Sequence, residues 1–174
     1  MSVSMSMSMG LKGRAWKFGD SISTDLIAPG RYFHLRSNLK ELAKHVLEDA
    51  RPEFASEVRE GDIIAAGENF GLGSSREHAP RIIKLAGVSV VLAKSFARIF
   101  YRNCVNIGLP VVICDTDKIR EGDEIEVFLE EGVVKNHTQG TEIRFTPLPG
   151  VMTRILRDGG LVAHIKKNGG FKLA

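Results

Sequence analysis

Two serines and an arginine at the end of a glycine-rich loop are the residues whose types and spacing best suit chemistry. They lie in Gly67-Glu68-Asn69-Phe70-Gly71-Leu72-Gly73-Ser74-Ser75-Arg76-Glu77-His78-Ala79-Pro80. The apolar run Ile63-Ile64-Ala65-Ala66 precedes this segment and the helix-like stretch Arg81 to Gly87 follows it, so the order is strand, loop, helix. Ser74 and Glu77 have the S-x-x-E spacing of a capping box, which predicts a helix N-terminus at the serines. Free backbone N–H groups and the positive end of the helix dipole collect at such a terminus and attract an anion. A guanidinium grips a carboxylate through two parallel hydrogen bonds. The segment therefore reads as a carboxylate or phosphate site with a proton-transfer group beside it.

The alternative is a turn that carries Gly for positive φ and Ser for a cap, with no ligand. Two familiar loops do not fit. No Gly-Lys-Ser or Gly-Lys-Thr follows the glycines, as a phosphate loop requires. After Gly71-x-Gly73, Arg76 occupies the place where a dinucleotide fold needs a third small residue.

The rest of the chain must position this loop. Its 174 residues, 43% hydrophobic and 26% charged, suit one globular domain with a real core. A formal charge of +3, from scattered basic residues without interleaved aromatics, argues against nucleic acid. No apolar run approaches membrane-spanning length. The Met/Ser-rich start lacks the basic flank and apolar segment of a secretory signal. It predicts a flexible tail over 1–13, then a single domain over 14–174, in the cytoplasm. Cys104 and Cys114 lack zinc-site spacing and read as buried apolar residues.

Trp16 to Phe18 starts a strand, and Gly19 to Asp25 is turn-rich. Residues 31–38 read as a loop, and Asn38 or Ser37 caps a helix from Leu39 to Glu48 with Leu39, Leu42, Ala43, Val46 and Leu47 on one face. Strands follow at Ile63 to Ala66, Val88 to Ala93 and Leu109 to Cys114, with helices over Arg81 to Gly87 and Ser95 to Ile107 between them. That alternation argues for parallel pairing with right-handed crossovers. Glu124 to Leu129, Val133 to Lys135 and Thr141 to Thr146 then read as a β-meander, and the chain ends in helices broken at Gly159-Gly160. The fold class is α/β, a parallel α/β core with an added antiparallel or barrel-like β element.

Three segments together resemble a known family. Gly67-x-Asn69-Phe70-Gly71-x-Gly73-Ser74-Ser75-Arg76-Glu77-His78-Ala79 resembles the signature of the aconitase C-terminal swivel domain. Ala93-Lys94-Ser95-Phe96-Ala97-Arg98-Ile99-Phe100-Tyr101-Arg102-Asn103 resembles that family's next block, and Gly19-Asp20-x-Ile22-x-Thr24-Asp25-x-Ile27-x-Pro29 completes the match. In length and order the chain is similar to the free-standing small subunits of this family, which serve hydro-lyases of isopropylmalate and homoaconitate. The resemblance spans roughly residues 14–170. Leu72 departs from the pattern, at a place where many small subunits have Cys and aconitases have Glu.

The resemblance implies a swivelling β/β/α domain and a hydro-lyase that moves a hydroxyl between adjacent carbons by dehydration and rehydration. It implies a cluster-bearing large subunit as partner, in a heterodimer or heterotetramer, with a 4Fe-4S cluster on that subunit and no cofactor or metal on this chain. Two cysteines are also one short of the ligands that such a cluster needs. A homo-oligomer of the isolated chain stays open. The substrate would be a small hydroxy-dicarboxylate or tricarboxylate. By the family's pattern Ser74 is the base, and Ser75 and Arg76 bind substrate carboxylate. The loop after the Thr-Asp motif reads the substrate's side group. Here it holds Tyr32, Phe33, His34 and Leu35, followed by Arg36, which would either pair with a distal carboxylate or point to solvent. The isopropyl substrate is the first expectation, and homoaconitate or dual specificity the alternative. A stand-alone anion-binding module is the reading from a different class. His78 is expected to shape the site, and Thr24 and Asp25 to hold the neighbouring loop by Asx-type hydrogen bonds.

Overall fold

Apolar and β-branched runs form the strands in this computed structural model, which describes residues 10–170. In chain order the elements are β1 (Leu11–Lys17), α1 (Thr24–Ile27), a 3-10 segment (Gly30–Leu35), α2 (Leu39–Ala43), α3 (Phe54–Glu57), β2 (Ile63–Ala66) and α4 (His78–Leu85). Then come β3 (Val90–Ala93), α5 (Arg98–Asn106), β4 (Val111–Ile113), β5 (Glu124–Phe128), β6 (Val133–Asn136), β7 (Thr141–Arg144), α6 (Gly150–Arg157) and α7 (Leu161–Asn168). Residues 1–9 of the expected tail lie outside the described residues. Residues 11–13, also expected in the tail, belong to β1.

The parallel core and the antiparallel meander are both present, and they share one seven-stranded sheet in the order β4-β3-β2-β1-β5-β6-β7. β1 joins them by dividing its length. Leu11 to Arg14 pair antiparallel with β5, and Ala15 to Lys17 pair parallel with β2. Side chains alternate between two apolar layers. Ile64, Ala66, Val91, Ala93 and Val111 pack with Phe54, Ile82, Ile83 and Phe100 from the helical side. Ile63, Ala65, Val90, Leu92 and Val112 pack on the opposite face with Ile125, Val127, Val134 and Ile143 from the meander. The parallel strands are therefore covered on both faces, which is why they read as unbroken apolar runs.

Several boundaries differ from expectation. α2 stops at Ala43, five residues early, and Leu47 takes a left-handed φ of 56°. Val46 and Leu47 are nonetheless fully buried, so the apolar pattern was right about burial while the backbone left the helix. The expected loop 31–38 contains a 3-10 segment. Cys104 and Cys114 are free and buried, as expected of small apolar residues.

Gly13 sits where β1 changes partner. A Cβ there would lie 1.9 Å from the Gly61 carbonyl oxygen, a backbone atom that cannot step aside without moving β1 from β2. Gly13→Ala is expected to lower stability by about 1–3 kcal/mol, the usual cost of overpacking. A denaturant midpoint that falls at unchanged slope checks this.

Candidate active site

The glycine loop is held on both sides by hydrogen bonds that prolong the parallel sheet beyond β2. On the β1 side, Gly67 N donates to Gly19 O (3.0 Å), Ser21 N to Glu68 O (2.8 Å), Gly71 N to Ile22 O (2.7 Å) and Thr24 N to Leu72 O (2.8 Å). The Thr24 hydroxyl donates to Ser74 O (2.8 Å). On the β3 side, Lys94 N donates to Gly67 O (3.0 Å), Phe70 N to Ser95 O (3.0 Å) and Ala97 N to Phe70 O (2.9 Å). Phe70 and Phe96 form a parallel bridge. The loop thus lies at the carboxyl ends of parallel strands, where open α/β sheets place their ligand crevices.

The predicted capping box does not form. α4 begins at His78 with Glu77 as N-cap, and no side chain caps it. Pro80 supplies the reason. It lacks an N–H and is tolerated only in the first helical turn, and a helix starting at the serines would put it in the second turn. Ser74 and Ser75 therefore stay in the loop, exposed. Among the described residues, the backbone N–H groups of Gly73, Ser74 and Ser75 donate to no acceptor.

Arg76 is positioned by the segment after β1. Its Nη1 donates to Asp25 Oδ1 (2.9 Å) and to Ala28 O (2.7 Å). Asp25 Oδ1 also accepts from Gly30 N (3.1 Å). The Thr-Asp pair was expected to hold its own loop, and it does so through Gly30. Its larger part is long-range, since Thr24 fixes the serine backbone and Asp25 fixes the arginine. Local sequence carries no signal for those two contacts.

Ser74, Ser75 and Arg76 line one cavity of about 210 Å³ with Thr24, Gly71, Gly73, and Ala97 to Phe100 and Asn103. Gly71, at φ 85°, leaves room for Phe100, because a Cβ there would fall 2.1 Å from the Phe100 ring. The apolar residues on this wall were not singled out from sequence, although Ala97-Arg98-Ile99-Phe100 lies inside the second resembling block. The cavity is smaller than the roughly 300–1,000 Å³ of complete small-molecule pockets.

Residues Tyr32 to Arg36 do not line this cavity. The Tyr32 ring stacks on His45 at 3.8 Å and its hydroxyl donates to Glu48 (2.8 Å), while Arg31 pairs with Glu48 and Asp49. Leu35 is half-buried and His34 exposed. Arg36 folds back over the Phe33 ring (4.2 Å) and donates to Phe33 O (3.1 Å). Phe33 in turn lies edge-on to His78, with centroids 6.1 Å apart. Partial burial, and then the positive charges of Arg76 and Arg36, hold the His78 imidazole below its ordinary pKa. His78 therefore stands beside the serine loop as a neutral ring at neutral pH.

Among the described residues, no group of three or more His, Cys, Asp or Glu is placed to hold a metal. Burial raises the thiol of Cys104, and raises that of Cys114 to about 12. Two buried thiols are fewer than an iron–sulfur cluster takes, and they stand in no group of ligands, so these residues do not fit such a group on this chain. No helix among the described residues is long and apolar enough to cross a membrane.

Residues 21–115, which carry the loop and most of its supports, match the family model described as the aconitase C-terminal domain. The chain belongs to that family. It is 64% identical over 165 residues to 3-isopropylmalate dehydratase small subunit 2 of Archaeoglobus fulgidus, covering 95% of this chain and 100% of the relative. It is 56% identical over 157 residues to the methanogen homoaconitase small subunit of Methanothermobacter thermautotrophicus, covering 90% and 91%. A crystal structure of 3-isopropylmalate dehydratase from Methanocaldococcus jannaschii superposes with a TM-score of 0.89 at 45% identity, covering 92% of this chain and 96% of that one.

The loop that carries Tyr32 to Arg36 rests on Glu48. Hydrogen bonds from His45 and then Tyr32 hold the Glu48 carboxyl down at about 2, against an ordinary 4.5. A carboxyl depressed on folding contributes stability that is complete above its unfolded pKa and lost as pH falls through its folded one. The contribution of Glu48 is thus expected to be whole above pH 4.5 and to vanish on acidification to about 2. Melts across that interval check this, and Glu48→Gln should flatten the acid limb.

Proposed function

We propose that this chain is the small subunit of a 3-isopropylmalate dehydratase, a hydro-lyase that interconverts 2-isopropylmalate and 3-isopropylmalate by loss and return of water. The observation that carries this reading is the convergence of Ser74, Ser75 and Arg76 on one cavity at the carboxyl ends of β2 and β3, with unpartnered N–H groups beside the hydroxyls. High identity to small subunits of that name supports it. In this reading Ser74 removes a proton from the carbon next to the one bearing the hydroxyl, and returns one during rehydration. A serine is a weak base at its free pKa. Its oxyanion needs donors already aimed at it, and the free N–H groups of the loop and the Arg76 charge are the candidates for that work. Ser75 and the unengaged edge of the Arg76 guanidinium bind a substrate carboxylate. Asp25 holds the other edge, so the fork is set before substrate arrives.

The partner would be a large subunit that carries the 4Fe-4S cluster, which supplies Lewis-acid activation of the leaving hydroxyl. The small size of the cavity agrees with a half-site that such a partner completes. A homoaconitase small subunit is the second reading. It is favoured by the methanogen relative and by Arg36, an exposed cation close enough to His78 to depress its titration.

The test is an anaerobic dehydratase assay of this chain mixed with a cluster-loaded large subunit, on 3-isopropylmalate and on homoaconitate. Ser74→Ala is expected to lower kcat by about a hundredfold or more with the complex intact, the usual scale for loss of a general base. Wild-type activity on neither substrate, with the two chains associated, would sink both readings. Asp25→Ala should act through Arg76, raising KM about tenfold while sparing association, since it loosens a carboxylate contact without touching the base.

A further inference from the structure

The cavity has two chemically different walls. Ser74, Ser75 and Arg76 form the polar one, on the extension of β2. The facing wall is the first turn of α5, where Ala97, Ile99 and Phe100 are apolar. Phe100 is 3% exposed and fixed edge-on against Phe70, with centroids 5.4 Å apart. Ala97 is tied to Phe70 by its N–H. Ile99 differs from both. It is 55% exposed, a large apolar side chain held at the cavity mouth rather than in the core. The 3-10 segment with Tyr32 to Leu35 contributes nothing to this lining.

We infer that Ile99 is a specificity-determining residue, which receives the alkyl side group of the substrate against the Ala97 and Phe100 surface. The inference rests on the proposed dehydratase reading and names the residue that reads the side group. A hydroxy-dicarboxylate anchored by its carboxylate on the serine and arginine wall has the apolar α5 surface within the same cavity to receive its remaining substituent. A branched alkyl group there removes apolar area from water on both sides of the contact. Because the backbone bonds at Phe70 fix the spacing of the two walls, trimming Ile99 leaves the polar wall in place. Arg98 lines the same turn and is the competing reader, of a carboxylate arm instead of an alkyl group.

The experiment compares 3-isopropylmalate with 3-methylmalate, whose side group is two carbons shorter. It uses the complex of this chain with its cluster-loaded large subunit. Ile99→Ala is expected to lower kcat/KM for 3-isopropylmalate about tenfold, chiefly through KM, and to leave 3-methylmalate within about twofold, the scale of losing a small apolar contact. Ile99→Val should fall between. An unchanged ratio of the two substrates overturns the inference and leaves the dehydratase reading standing. So does an equal loss on both, or a loss explained by weaker subunit association measured in parallel. A ratio that moves only in Arg98→Ala also overturns it and assigns the reading to Arg98. Wild-type complex inactive on both substrates fails the dehydratase reading first, and this inference with it.

Discussion

The site depends on one constraint, that parallel pairing does not stop where β2 stops. Residues 67–74 are loop by conformation, yet they exchange main-chain hydrogen bonds with the segment after β1 on one side and the segment after β3 on the other. Each bond is individually modest, about 0.5–1.5 kcal/mol net. Together they hold an exposed, glycine-rich segment between two neighbours that are themselves rooted in a sheet buried on both faces. Glycine costs conformational entropy wherever it is ordered. Here that cost is offset by bonds that only a bare backbone at Gly71 permits, since a side chain would meet Phe100.

This constraint also explains the three separate sequence blocks. The Gly19 to Pro29 segment supplies the acceptors and donors along the first edge of the loop, and then Thr24 and Asp25 at its tip. The block from Lys94 supplies the second edge and the facing wall. Ser74, Ser75 and Arg76 sit in the middle block, but their positions are set by the outer two. Thr24 holds the Ser74 carbonyl and Asp25 holds the Arg76 guanidinium, so two consecutive residues of a four-residue helix fix both ends of the serine–arginine segment. Ser23 caps that helix through Leu26 N (3.1 Å), which keeps Thr24 and Asp25 in register.

Much of this was legible in the sequence. The apolar runs gave the strands, the strand–helix alternation gave parallel pairing, and the glycine loop marked the segment that lines the cavity. The errors have physical causes. The S-x-x-E pattern offered a cap worth roughly 1 kcal/mol, but Pro80 cannot donate from a second turn and the Thr24 bond pulls Ser74 into the loop. The Leu39 to Glu48 periodicity identified the buried residues correctly. The left-handed Leu47 is set by tertiary bonds, with its N–H on Ile27 O, which no local pattern reports. The segment Tyr32 to Arg36 was read as a substrate-facing loop. In the structure Tyr32 is drawn to His45 and Glu48, Phe33 lies against His78 and Arg36 folds over Phe33, and His45, Glu48 and His78 become neighbours of this segment only on folding. The Ile99 wall went unnoticed because an isoleucine in a helix reads as core, and only the structure shows it uncovered.

In the proposed reading, chemistry and selectivity are carried on different strands' extensions. The polar wall follows β2 and the apolar wall follows β3, and the two are joined by backbone bonds at Gly67 and Phe70, by the Asn69 N–H on Ser95 Oγ, and by the packing of Phe100 on Gly71. On the inference drawn above, a change at the exposed side chain of Ile99 alters what the cavity accepts without moving the serine backbone, because no hydrogen bond of the serine loop passes through that side chain. The reverse does not hold. Filling Gly71 would displace Phe100 and shift both walls at once. In such an arrangement side-group preference can drift by surface substitution on α5, while the glycines and the Thr-Asp pair stay under the joint demand of folding and chemistry.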